Sequence, residues 1–196
     1  MGMVLGKTGV AEPAYDVIFR SAKANVELRS YSTRFAIRTK CEADNKAFMS
    51  LAGYIGVTSS PQNSASAPIA MTAPVVKDGC DSTMSFILPE AFKSLEDVPR
   101  PTSPDVSVAE VPPAWGAVRA FSGWAPKEKA ERERDALLEE LRGRGLAREE
   151  GAKWELWQYN PPFTIPFLRR NEVWVEMTRE ECEDVKANFE KEEGGL

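Results

Sequence analysis

Side chains able to do acid–base, nucleophilic or metal chemistry are thinly spread along this chain, and one type is missing: none of its 196 residues is histidine. That removes every Ser-His-Asp and Cys-His catalytic arrangement, every His-ligated zinc or iron site, and the side chain whose ordinary pKa lies nearest neutrality. The three cysteines, Cys41, Cys80 and Cys182, stand far apart with no CxxC pair, which speaks against a disulfide framework or zinc knuckle and fits a reducing compartment. Two features stand out from this sparse inventory. Arg169-Arg170-Asn171-Glu172 sets two guanidiniums before a carboxylate at the mouth of a strand, most simply to pin a Pro-rich loop by charge-assisted hydrogen bonds. The other is an apolar arc. Read at 3.6 residues per turn, Phe48, Leu51, Ala52 and Ile55 form a stripe that Ala47 and Tyr54 widen on one side and Met49, Gly53 and Gly56 on the other. Packing on one sheet needs an arc of roughly 100° or a little more, and this one exceeds half the circumference. The loop 57–68, a neighbouring chain or a flat apolar ligand must cover the excess. Small Ala52, Gly53 and Gly56 beside large or adaptable Phe48, Met49 and Leu51 would let a planar body approach the backbone.

The elements that position these residues follow from periodicity. Period-two alternation predicts strands at 15–20, 26–31, 35–39, 69–76, 84–88, 106–111, 116–121, 154–159 and 172–177. Helical patterning predicts one helix through 46–55, stopping near Gly56, and a second, charged and amphipathic, from about Pro126 to Arg142. The stretch 58–68 is small and polar, which predicts a mobile loop. The two halves share a strand-strand-helix-strand-strand order, and Glu27-Leu28-Arg29 leading to Ala36-Ile37-Arg38 weakly matches Ala109-Glu110-Val111 leading to Ala117-Val118-Arg119. The reading is one α+β domain over 13–177, with pseudo-repeats at about 15–90 and 105–177, an N-terminal extension 1–12 and a charged tail 178–196 that forms a short solvated helix fraying into Gly194-Gly195. Lys plus Arg 25 against Asp plus Glu 30 leaves a net charge of −5, which excludes a domain-wide phosphate-tracking surface and so nucleic acid. No apolar run is long enough to span a bilayer, and Met1 to Gly6 has neither signal- nor transit-peptide character. A soluble, cytoplasmic protein is expected.

Three stretches look familiar: Ala52-Gly53-Tyr54-Ile55-Gly56-Val57, Ile69-Ala70-Met71-Thr72-Ala73-Pro74-Val75 and, above all, the segment from Tyr159-Asn160-Pro161-Pro162-Phe163 through Thr164-Ile165-Pro166-Phe167-Leu168 to Arg169-Arg170-Asn171-Glu172-Val173. They resemble the SOUL/haem-binding protein family, in a form closest to its plant and algal members, which adds a plastid-associated location to the cytoplasmic one. The resemblance implies a duplicated α+β fold: a distorted eight-stranded barrel-like antiparallel sheet flanked by two long helices. It implies haem or metal-free porphyrin as ligand, a haem-pathway protein as partner, and no common enzymatic reaction. In the animal members the porphyrin lies in an apolar cleft beside the first long helix, without an obligatory histidine. Carried over, the contacts fall on Phe48, Leu51 and Ala52, then Ile55 and Tyr54. The basic residues flanking that cleft correspond here to Asn45 and Gly53, and the lysine of the Pro-rich loop falls near Thr164 or Ile165, so Lys46, Arg169 and Arg170 are the substitutes for holding propionates. Met49, Met71 and Tyr54 are the nearest axial candidates. The competing classes are an enzyme or accessory factor in haem degradation, and a regulatory module that binds another hydrophobic ligand or a partner's helix.

Overall fold

Alternating side chains produce strands over most of the predicted spans. In the computed structural model, which describes residues 9–79, 82–146 and 152–193, they are β1 (Asp16–Ser21), β2 (Val26–Tyr31), β3 (Arg34–Lys40), β4 (Val75–Asp78), β5 (Thr83–Ile87), β6 (Ser107–Val111), β7 (Ala114–Phe121), β8 (Trp154–Gln158) and β9 (Asn171–Met177). The helices are α1 (Asp44–Ile55), α2 (Lys127–Arg142) and α3 (Arg179–Glu193). Cys80, the first eight residues and Gly194-Gly195 lie outside the described residues. The strands form one antiparallel sheet in the order β1-β2-β7-β9-β8-β4-β5-β3-β6. The expected eight-stranded barrel is therefore corrected to an open sheet of nine strands, because β1 pairs only with β2 and β6 only with β3. Among the described residues no helix is long and apolar enough to cross a membrane.

Residues facing each other across an antiparallel pair share a face, so the register sorts the side chains. On the helix side, α2 and α3 bury Leu137, Leu141 and Phe189 against Leu28, Ala117 and Val173, while α1 buries Leu51, Ala52 and Ile55 against Ile37, Met84 and Phe86. The other side carries an aromatic cluster of Tyr31, Trp157, Tyr159 and Trp174.

Four expectations change. Residues 69–74 are not a strand: Thr72 donates its hydroxyl to the Ile87 carbonyl, Ala73 N donates to Ala11 O at 2.9 Å, and Pro74 has no N–H to give a ladder. Residues 10–12, which the sequence places in an extension, thus lie against the domain, and Glu12 pairs with Arg170 at 2.9 Å. The tail is also more than a solvated helix, because α3 buries Cys182, Val185 and Phe189 completely or nearly so.

The fourth change concerns the loop 57–68. Asn63, only 1% exposed, donates to Tyr54 O and Ala67 O at 2.9 Å each, and Ser64 N donates to Arg100 O at 2.8 Å. Gly56 ends α1 at φ +81°, where a side chain would strain the backbone, and a Cβ there would lie 2.6 Å from Pro61. A Cβ on Gly53 would meet Gln62 at 3.3 Å. The loop that was expected to be mobile is instead stapled over the excess apolar arc of α1. Its polar residues serve as staples, a role that composition does not reveal. Asn63→Ala leaves two buried carbonyls without their donor and is expected to cost about 1–3 kcal/mol. Urea unfolding together with limited proteolysis, which should now cut first within 57–68, checks this.

Candidate functional site

Helices α1 and α2 lie on the same side of the sheet, and their N-terminal ends flank a cleft of about 210 Å³. Its floor is β4 and β8, where Lys77 pairs with Leu156. Asp44 and Cys41 stand on one wall, Pro126, Lys127 and Ala130 on the other, and Trp154 at one end. One row further along, Val75 pairs with Phe86 on one side and Gln158 on the other, so all three face the same way. Phe48 stands edge-to-face on Phe86 with centroids 5.2 Å apart, beyond the residues that line the cleft. Lys77 donates to Asp44, whose carboxyl this hydrogen bond and charge hold below the usual value despite partial burial. The Cys41 thiol donates to the same carboxylate, and burial together with Asp44 pushes its pKa up, so it is a thiol and not a thiolate.

The residues singled out from the sequence are dispersed. Phe48 is half-buried against Phe86 and the α1 cluster, outside the residues that line this cleft, and Met49, 46% exposed, lies on the outer surface of α1. Met71 is half-buried against the α1 cluster. Leu51, Ala52 and Tyr54 are 0% and Ile55 is 3% exposed, so these four belong to the protein's own core and offer no surface to a ligand in this conformation. Tyr54 donates its hydroxyl to Pro99 O at 2.6 Å, and burial pushes its pKa up to about 12, which takes it out of the axial candidates. Lys46 lies about 160° around α1 from Phe48 at 100° per residue. It pairs with Glu42 on the far flank of the helix, away from the cleft.

Arg169 and Arg170 are committed elsewhere. Arg169 donates to the carbonyls of Thr164 and Pro162 and stacks on Trp124 at 3.6 Å, so its work is to fix the β8–β9 loop. Arg170 donates to Glu12 and Glu172 and stacks on Tyr159 at 3.7 Å. Glu172, 1% exposed on the sheet's other face, also accepts Arg29 Nη1 and Nη2 at 2.8 and 3.1 Å and the Tyr159 hydroxyl at 2.7 Å. Burial alone would raise its carboxyl. The hydrogen bonds and charge of Arg29, helped by Arg170 and Tyr159, more than reverse this and hold it below the usual carboxylate value. A carboxylate so saturated is neither a free base nor a free acid. Near it, burial pushes the Glu155 carboxyl up while it accepts the Trp157 indole N–H at 2.7 Å.

The sequence reading missed Lys77 and Lys127, the cations of the cleft, and Arg29, the partner of Glu172. Lys77 was legible, because in a period-two strand it shares the face of Val75. Arg29 was visible only as a charge on the same face as Tyr31. Among the described residues no group of three His, Cys, Asp or Glu side chains could hold a metal ion.

Comparison with solved structures finds the same fold at low identity. A hydrolase from Listeria innocua matches at TM-score 0.51 and 15% identity, over 82% of this chain and 95% of that one. The EcmrR C-terminal domain matches at 0.52 and 10%, over 77% and 95%, and an uncharacterized conserved protein from Listeria innocua at 0.52 and 14%, over 78% and 92%. At such identity the likeness is one of fold alone. A comparison with curated proteins gives no match. The sequence model of the SOUL heme-binding protein family, by contrast, matches residues 10–176, from the segment laid against Thr72 to the end of β9, and the chain is thereby a member of the SOUL heme-binding protein family.

Proposed function

We propose that this protein is a non-enzymatic carrier or buffer for haem or a related porphyrin, and that the ligand enters the cleft between α1 and α2. The cleft also holds the carboxylates of Asp78 and of Asp44, the latter bonded to Lys77; the observation that carries this reading is the cleft's pairing of apolar lining from Leu156, Ala130 and Trp154 with two ammonium groups, Lys77 and Lys127. A porphyrin needs that combination, since its flat body gains from apolar burial and its propionates from cations. The cleft is smaller than the roughly 300–1,000 Å³ of pockets that engulf a ligand, so the macrocycle is gripped along one edge and remains partly exposed. Met49 and Met71, the remaining axial candidates, are not among the residues that line the cleft, so the proposed binding does not rest on an iron ligand. Micromolar affinity needs only about 8 kcal/mol, within reach of burial and charge without an iron bond.

Titration with hemin and with protoporphyrin, followed by absorbance and tryptophan quenching, tests the proposal. One-to-one binding is expected, with the metal-free ring within about tenfold of hemin and Lys77→Glu weakening both by about tenfold, roughly 1.4 kcal/mol. Lys46→Glu should leave binding unchanged. A hundredfold preference for the iron form would mean that an iron ligand dominates, and an unaffected Lys77→Glu variant would remove the cleft. Loss of the haem absorption band under reductant and oxygen would instead favour haem degradation.

A further inference from the structure

The β8–β9 loop presents large aromatic side chains outward: Phe163 is 63% and Phe167 72% exposed, and beside them Trp124, in the turn before α2, is 60% exposed. Exposed aromatics on a slack loop would mean little, but this loop is held. Arg169 binds the carbonyls of Pro162 and Thr164 and stacks on Trp124, Gly123 N donates to Pro166 O at 2.9 Å, and Thr164 is buried as an anchor. The scaffold thus commits a guanidinium and several hydrogen bonds to keeping these rings in water.

We infer that this loop is a docking tip for the surface of an anionic lipid bilayer, entering the interface with Phe163 and Phe167 while Trp124 lies at headgroup level. Three observations favour lipid over a protein partner. First, Tyr159 to Leu168 contains no charged residue, and beside it Arg169 and Lys129 bond backbone carbonyls and keep their charge, whereas Arg170 is paired with Glu12 and Glu172 and Lys127 with Glu131. An apolar tip flanked by two cations matches an acyl boundary beneath anionic headgroups. Second, Pro161, Pro162 and Pro166 have no backbone N–H, and Thr164 N, Leu168 N and Arg169 N are bonded within the loop, so few donors lose water on entering an apolar layer. Third, the three side chains offer roughly 400 Å² of aromatic surface, well short of the about 800 Å² per partner of a stable protein interface but enough for reversible interfacial binding. The loop follows directly from Gln158, two residues along β8 from Leu156 of the cleft. The inference does not depend on what occupies the cleft.

Flotation of the full chain with vesicles of phosphatidylcholine alone, and of phosphatidylcholine with phosphatidylserine, provides the test. Binding to the anionic vesicles is expected, weaker with neutral ones, and Phe163→Ser/Phe167→Ser should reduce the partition coefficient by about tenfold or more. Thermal unfolding of that variant should match wild type, since both rings are exposed. Phe163→Leu/Phe167→Leu should retain most of the binding, and Leu95→Ser, an exposed apolar residue elsewhere, all of it. Wild-type protein that stays with neither vesicle, or a serine variant that floats as wild type does, overturns the inference. So does size-exclusion chromatography showing a wild-type dimer that the serine variant dissolves, which would make the tip a contact between two copies.

Discussion

Glu172→Ala is expected to lower folding stability by about 3–5 kcal/mol, a large part of the 5–15 kcal/mol that holds an ordinary domain together. The effect comes less from the hydrogen bonds removed than from the charge left behind. Arg29 is 4% exposed, its two Nη groups are satisfied by Glu172, and without that carboxylate they remain buried against Tyr31 and Tyr15, with only Glu27, bonded at Nε, left as a counter-charge. Arg29→Met/Glu172→Leu should recover much of the stability, because exchanging a whole buried pair for apolar groups is far less costly than breaking it. The pH dependence has a definite sign. The folded-state carboxyl of Glu172 lies below its ordinary value of 4.5, so its stabilisation is fully present above that value and is lost as pH falls through the lowered folded value. Urea unfolding from pH 7 downward should show an acid-sensitive limb below about pH 4.5 that Glu172→Gln flattens. A Glu172→Ala protein within 1 kcal/mol of wild type at pH 7 would mean that Arg29 regains water and that the pair is not buried in solution.

Leu51→Asp should be more damaging still. Leu51 lies at the centre of the α1 cluster among Ile37, Ile55, Met84 and Phe86, and trimming it to alanine alone is worth about 2–5 kcal/mol. A carboxylate at this position has no cation among those neighbours and adds a desolvation penalty, so the variant should be largely unfolded at 25 °C by circular dichroism. The same substitution separates two views of α1. A folded Leu51→Asp protein that no longer binds porphyrin would mean that Leu51 faces a ligand, and that the loop 57–68 swings away from the helix in solution.

The apolar arc of α1 shows what the sequence could and could not disclose. Its width was real, and so was the inference that something beyond the sheet covers it. The cover is Pro61, Gln62 and Asn63, polar or small residues whose effect depends on where a turn delivers them. Gly53 and Gly56 are small because the chain's own loop lies on them. Strand positions were legible because alternation is local. The open sheet was not, since whether β1 and β6 meet depends on twist summed over nine strands. The burial of α3 escaped for a related reason: Cys182, Val185 and Phe189 are three apolar residues among many charges, and they become a stripe only when β1 and β7 are there to receive them. For the site, the long motif from Tyr159 to Val173 identified the family, while the partners of Arg169 and Arg170 are backbone carbonyls and a glutamate brought together by folding.

The placement of α3 bears on how a ribosome can deliver this protein. β1 is among the first elements made, yet it pairs only with β2. Phe19 on it stacks against Phe189 of α3 with centroids 5.0 Å apart, and β2 in turn waits for β7. By contrast β3, α1, β4 and β5 find one another within residues 34–87, and β6 joins them by residue 111. The nascent chain can therefore assemble its α1 half early, while the first hairpin emerges with its apolar side bare and must stay so until translation passes residue 189. A chaperone that meets this protein at the exit tunnel would find its substrate in the hairpin of residues 16–31.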